Sequence, residues 1–135
     1  LGASLSRRDY GETVDDLVSR YSWWFAPGFT RYAGHWDDLP VDAHMLIALN
    51  APRPLFITAG SGDLWADPKG EFLAEVAAGP VYRLVGARGL GATEMPPQEK
   101  DVDSGDLAFR FHTGPHAIVP SDWTAFLSFA DRYLR

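Results

Sequence analysis

The sequence predicts an α/β fold built on a mostly parallel sheet. Three observations carry that expectation. Residues 55–60 read LFITAG, a short apolar run bounded by Pro54 and Gly60 that signals a buried strand. Helical stripes precede it, follow it and close the chain. The resulting order is helix, strand, helix, strand, loop, strand, loop, helix. Parallel strands need neighbours on both sides and helices on both faces. Three strands are few for that, and the chain opens on Leu1 rather than Met. The expectation is therefore an incomplete sheet with further strands upstream, residues 1–135 forming one partial domain.

Each element has its own signal. Glu12–Tyr21 places Val14, Leu17, Val18 and Tyr21 on one helical face. Glu12, Asp15 and Asp16 stand early and Arg20 late, as the helix dipole favours. Ser22–Trp36 is dense in aromatics and broken by Pro27 and Gly28, so short irregular helices are expected there, with Trp23 in the core and Trp24 as a wall. Asp42 caps a helix over Ala43–Asn50, ended by Asn50 and Pro52. Leu55–Ala59 is the first strand. Asp67, before Pro68, suits the cap of a helix over about 68–78 with Phe72, Leu73 and Val76 inward. The alternation of Val81–Val85 suggests a second strand. Gly86–Asp106, holding Pro96 and Pro97, reads as a long loop. Leu107–Phe111 is a third strand. The last helix is expected over Pro120–Leu134, capped by Ser121, with Trp123, Phe126, Leu127, Ala130 and Leu134 as its stripe.

Composition narrows the function. The chain has 135 residues, 46% hydrophobic and 22% charged, enough apolar content for one globular domain. Its net charge of −6 argues against nucleic acid and against an anionic membrane surface. No apolar run approaches the roughly 20 residues of a membrane helix. The absence of Cys excludes disulfides and thiolate metal sites within this stretch.

In open α/β sheets ligands bind beyond the carboxyl ends of the strands. Two loops fall there: one holds Asp63 and Asp67, the other His112 and His116. An acid after one strand and a His after the next, ahead of the final helix, is the chain order of the last two triad members in α/β-hydrolases. The His takes a proton from a nucleophile, and the acid fixes its tautomer. Asp63 is expected nearer His116 than Asp67 is. Taken singly, an Asp in a Gly-rich loop is a turn residue and a lone His is a packing residue. Zinc is disfavoured: His112 and His116 flank Gly114 and Pro115 and do not share a helix turn, and His35 and His44 lie far off in sequence. No metal or cofactor is expected. The nucleophile motif G-x-S-x-G is absent, and neither Ser61 nor Ser4 has the right flanks.

The chain resembles the glucuronoyl esterases, carbohydrate esterase family fifteen, in their C-terminal half. The resemblance rests on GASLSRRDYGETV at 2–14, SWWFAPGFTRY at 22–32, LPVDAHMLIALNAPRPLFI at 39–57 and GDLWADPKGEFLA at 62–74. GPVYRLVG at 79–86, GDLAFRFHTGPHAIVPSDW at 105–123 and the closing FLSFADRYL extend it. It implies the C-terminal portion of an α/β-hydrolase fold, a three-layer sandwich. It further implies a serine carboxylesterase cleaving esters of 4-O-methyl-glucuronate on xylan, secreted or periplasmic, with the upstream half of the domain as partner.

By the same resemblance His116 is the catalytic His and Asp63 its acid, while Trp65 and Glu12 contact substrate. The Ser nucleophile, with a neighbouring Arg and Lys, and an alternative catalytic Glu belong upstream of Leu1, so the chain alone is expected not to turn over esters. Read without the resemblance, Glu12 is a helix-dipole partner, and Trp65 in its Gly/Asp/Pro loop is a binding residue. The alternative function is a polysaccharide-binding or interaction remnant without turnover.

Overall fold

A computed structural model describes residues 11–134. The α-helices are α1 (Val14–Tyr21), α2 (Ala43–Ala48), α3 (Pro68–Leu84) and α4 (Pro120–Ala130), with short 3-10 helices at Ser22–Trp24, Pro27–Tyr32 and Trp36–Asp38, as the aromatic segment leads one to expect. The strands are β1 (Leu55–Gly60), β2 (Lys100–Val102) and β3 (Leu107–His112). The sheet order is β1-β3-β2. β1 runs parallel to β3, Leu55 opposite Leu107 through Gly60 opposite His112. β2 runs antiparallel to β3.

Strand alternation explains the layers. Ile57, Ala59, Leu107, Phe109 and Phe111 face α3 and join Ile47, Phe72, Ala78, Tyr82 and Leu90 in the core. Phe72 meets Phe109 edge-on at 5.4 Å between centroids. The opposite face carries Phe56, Thr58, Ala108, Arg110 and His112. There Phe56 packs on Phe126 and Phe129 of α4, and Asp122 meets Arg110 and His112. The result is a three-layer arrangement, α3 over sheet over α4, matching the expected class.

Several local expectations change. Val81–Val85 is not a strand: α3 continues through Pro80 to Leu84. Five alternating residues fit a strand and a helix end equally, and Tyr82 decides. It is fully buried on the stripe of Phe72, Glu75 and Ala78, and its hydroxyl donates to the Arg53 carbonyl at 2.9 Å.

The expected loop over 86–106 contains β2, an edge strand whose Lys100 and Asp101 are exposed and so carry no apolar alternation. The cap of α4 is Val119, not Ser121. Pro120 takes the first helical position, and the Asp122 carboxylate accepts from the Val119 N–H at 3.0 Å. The expected α4 stripe faces outward, for Trp123, Phe126, Leu127 and Leu134 are exposed while Phe129 is buried. Trp23 and Trp24 are exposed as well, so Trp23 is not core.

The caps at α1 and α3 follow sequence rules. Thr13 caps α1 in a reciprocal capping box with Asp16. Asp67 caps α3 by accepting from Gly70 N–H at 3.1 Å. Asp42 caps α2.

Candidate active site

The two loops beyond the carboxyl ends of β1 and β3 are stitched together. Ser61 N–H donates to His112 O at 2.9 Å and Gly62 N–H to Gly114 O at 2.7 Å. Gly114 N–H donates to Ser61 Oγ at 3.2 Å. Gly60 is required by space: a Cβ there would stand 2.3 Å from Pro115 O and 2.7 Å from Gly114 O.

This stitching sets Asp63 against His116. His116 Nδ1–H donates to Asp63 Oδ2 at 2.5 Å. Asp63 Oδ1 accepts from Ala66 N–H at 3.3 Å, which steadies the carboxylate. Asp63 is largely covered while the His116 side chain is 86% exposed. The hydrogen bond to Asp63, and then its charge, hold the His116 imidazolium above the usual histidine range. Asp67 is the α3 cap and Asp63 is the partner of His116, as the strand-end argument expects.

The same β1–α3 loop carries Trp65. Its indole N–H donates to Glu12 Oε1 at 3.1 Å, and Glu12 N–H donates back to Trp65 O at 2.9 Å. The Arg20 guanidinium lies over the Trp65 ring, 5.2 Å from its centroid. Gly11, at φ +92°, allows this close approach: a Cβ there would stand 3.2 Å from Trp65 O and 3.0 Å from Asp67 Cβ. Trp65, on the loop that also holds Asp63, and Glu12, just ahead of α1, are thus brought together.

A cavity of about 490 Å³ lies elsewhere, around Asp15, His35, Trp36 and Asp38. It does not include Asp63 or His116. Among the described residues no three His, Asp or Glu side chains cluster as metal ligands.

The sequence reading missed a charge network beneath the site, centred on the buried Arg110–Asp122 pair. Arg110 donates to Asp122 at 3.0 Å, to Asp101 at 2.5 Å and to Glu99 at 2.9 Å. Its signal was present: one Arg inside the apolar run LAFRF. Glu71, half-buried on α3, was missed too. Burial, aided by the Asp63 charge, pushes its carboxyl up to about 7.

An Asp–His pair on successive strand-end loops of a three-layer sheet, ahead of a terminal helix, defines the α/β-hydrolase class. A family model described as "Glucuronyl esterase, fungi" matches residues 4–86, well over half of the chain. The chain belongs to the glucuronyl esterase family.

It is 44% identical over 133 residues to carbohydrate esterase MZ0003 of an unknown prokaryotic organism, covering 98% of this chain and 31% of that protein. It is 36% identical over 75 residues to the 4-O-methyl-glucuronoyl methylesterase of Schizophyllum commune, covering 56% of this chain and 19% of that protein. Among solved structures, the glucuronoyl esterase from Solibacter usitatus superposes with a TM-score of 0.89 at 38% identity. That match covers 99% of this chain and 34% of the other. The chain thus spans about a third of the length of these two prokaryotic relatives.

Proposed function

We propose that these residues form the acid–base third of a serine carboxylesterase acting on glucuronate esters of xylan. His116 is the general base, Asp63 orients it, and Trp65 with Glu12 contacts the sugar. The observation that carries this reading is the 2.5 Å bond from His116 Nδ1–H to Asp63 Oδ2. It fixes the tautomer whose Nε2 lone pair is free to take a hydroxyl proton, and the carboxylate stabilises the imidazolium that forms. A purely polysaccharide-binding module has no use for such a pair.

The relatives' names supply the substrate class, and the indole–carboxylate pair suits a polar ring: an apolar face for the pyranose and a carboxylate for its hydroxyls. The nucleophile and oxyanion donors are assigned to the part of the domain that the longer relatives have in addition. Among the described residues no helix is long and apolar enough to cross a membrane. A polymeric substrate places the work outside the cytoplasm.

The test is a chimera in which residues 1–135 replace the matching third of the Solibacter usitatus glucuronoyl esterase. It should hydrolyse a glucuronate ester, losing at least about 10³-fold on His116→Ala, while the 135-residue chain alone gives no turnover above its own His116→Ala control. A folded, active chimera indifferent to His116→Ala would overturn the assignment.

A further inference from the structure

Four residues before His116, on the last position of β3, stands a second histidine to which the proposed reaction assigns nothing. The His112 side chain is 1% exposed. Its Nδ1 lies 3.1 Å from Asp122 Oδ2 and 3.3 Å from Thr58 Oγ1. Its Nε2 lies 3.4 Å from Pro115 O, the carbonyl of the peptide bond that leads into His116.

The segment between the two histidines is held at each residue. Thr113 N–H donates to Glu99 Oε1 at 2.6 Å. Gly114 is bound through both its N–H and its carbonyl, to Ser61 and Gly62. Pro115 has no N–H to give, and its carbonyl faces the His112 ring. That ring is itself fixed, because Asp122 is clamped by Arg110 Nε at 3.0 Å and by the Val119 N–H at 3.0 Å.

We infer that His112 is a positioning residue for His116: bridging Asp122 to the Pro115 carbonyl, it sets the peptide that aims the His116 ring at Asp63. A carbonyl only accepts, so Nε2–H is the group that meets Pro115 O, while Nδ1 lies between the Asp122 carboxylate and the Thr58 hydroxyl. The bare α-carbon of Gly60 is the floor of the arrangement, since a Cβ there would stand 2.8 Å from His112 Nε2. A group that misplaces a catalytic base by about 1 Å costs on the order of 10²-fold in rate, so this second layer bears on turnover without touching substrate.

The inference rests on His116 acting as the base, and two variants with two readouts keep the two claims apart. An Asn amide nitrogen overlays His Nδ1 and keeps the donor to Asp122. A Gln amide nitrogen overlays Nε2 and keeps the donor to Pro115 O. In the chimera, His112→Asn should lower kcat at least tenfold with KM unchanged, and His112→Gln should recover most of that loss.

In the 15N-histidine-labelled 135-residue chain, His112 Nε2 should carry a proton. The low-field His116 Nδ1 proton should broaden or shift in His112→Asn and persist in His112→Gln. Equal losses in both variants, or losses matching only the unfolded fraction, overturn the inference, as does an unprotonated His112 Nε2 in the unsubstituted chain. An inactive chimera with the nuclear resonance pattern as stated sinks the esterase reading and leaves the positioning role standing.

Discussion

β1 and β3 pair in parallel over six residues each, yet they live in different surroundings. β3 lies between β1 and β2, and five of its six residues are buried. β1 pairs on one side only among the described residues, and its first four residues are half-buried. The helix beside it repeats the difference: Phe129 of α4 is buried, while Trp123 and Leu127 are more than half exposed. A groove of about 200 Å³ runs between them, lined by Phe56, Thr58, Ile118, Asp122, Trp123 and Phe126. β3 is therefore finished by this chain's own contacts. β1 has the apolar sequence of a central strand in the setting of an edge strand, which is an association hazard.

The sharpest way to break the comparison is Arg110→Met. It takes the cation from buried Asp122, and removing one partner of a buried ion pair costs about 3–5 kcal/mol, while the pairs with exposed Glu99 and part-exposed Asp101 add little. Phe56→Ala on half-covered β1 should cost less than the roughly 3–5 kcal/mol of a fully buried Phe. Urea unfolding of both variants checks the ranking, and equal losses would mean the two strands are equally supported.

Gly60→Ala comes next. Its Cβ would press on Pro115 O at 2.3 Å, so the loop must move, at about 1–3 kcal/mol. In the chimera it should reduce kcat by at least tenfold, since a shift of about 1 Å at the base costs on the order of 10²-fold.

Trp123→Ser with Leu127→Lys should change unfolding stability by no more than about 0.5 kcal/mol per site, because both side chains are exposed. The doubly substituted chain should sediment as a smaller species than the unsubstituted one at the same concentration. Identical sedimentation would mean the face is not sticky.

A last effect is in pH. Glu71 holds its proton to about 7 in the fold and His116 is raised above its usual range, so the native state binds more protons than the unfolded chain. Stability therefore falls as pH rises from about 4.5 to 7 through Glu71, and again as pH passes the folded His116 value. The exposed His116 contributes well under about 1 kcal/mol. Thermal melts in His116→Ala should lose only the upper part of that slope.

What was legible in the sequence follows the range of the signal. The loops that hold Asp63 and His116 could be placed because each follows a strand, and a strand end is a local pattern, whereas the choice of His116 over His112 came from the family resemblance. Thr58, Arg110, Asp122 and His112 could not be joined in advance. Their partners come from two strands and a helix, and the register of a parallel pair is not written locally. Val81–Val85 failed because five residues do not separate a period of 2 from one of 3.6, and burial of Tyr82 settled it. The α4 stripe was identified as apolar, but periodicity does not say on which side its cover lies.

The Asp63 and His116 side chains are 53 residues apart in the chain and are brought together by the pairing of β1 with β3. Pairings of that range close a long loop and are slow steps in folding. On a ribosome adding about 5–20 residues per second, β1 emerges about 3–10 s before the strand that will cover its flank. Through that interval both edges of LFITAG are open to chaperones and to other chains, and the appearance of the Asp63–His116 hydrogen bond marks the moment when the edge facing β3 is covered.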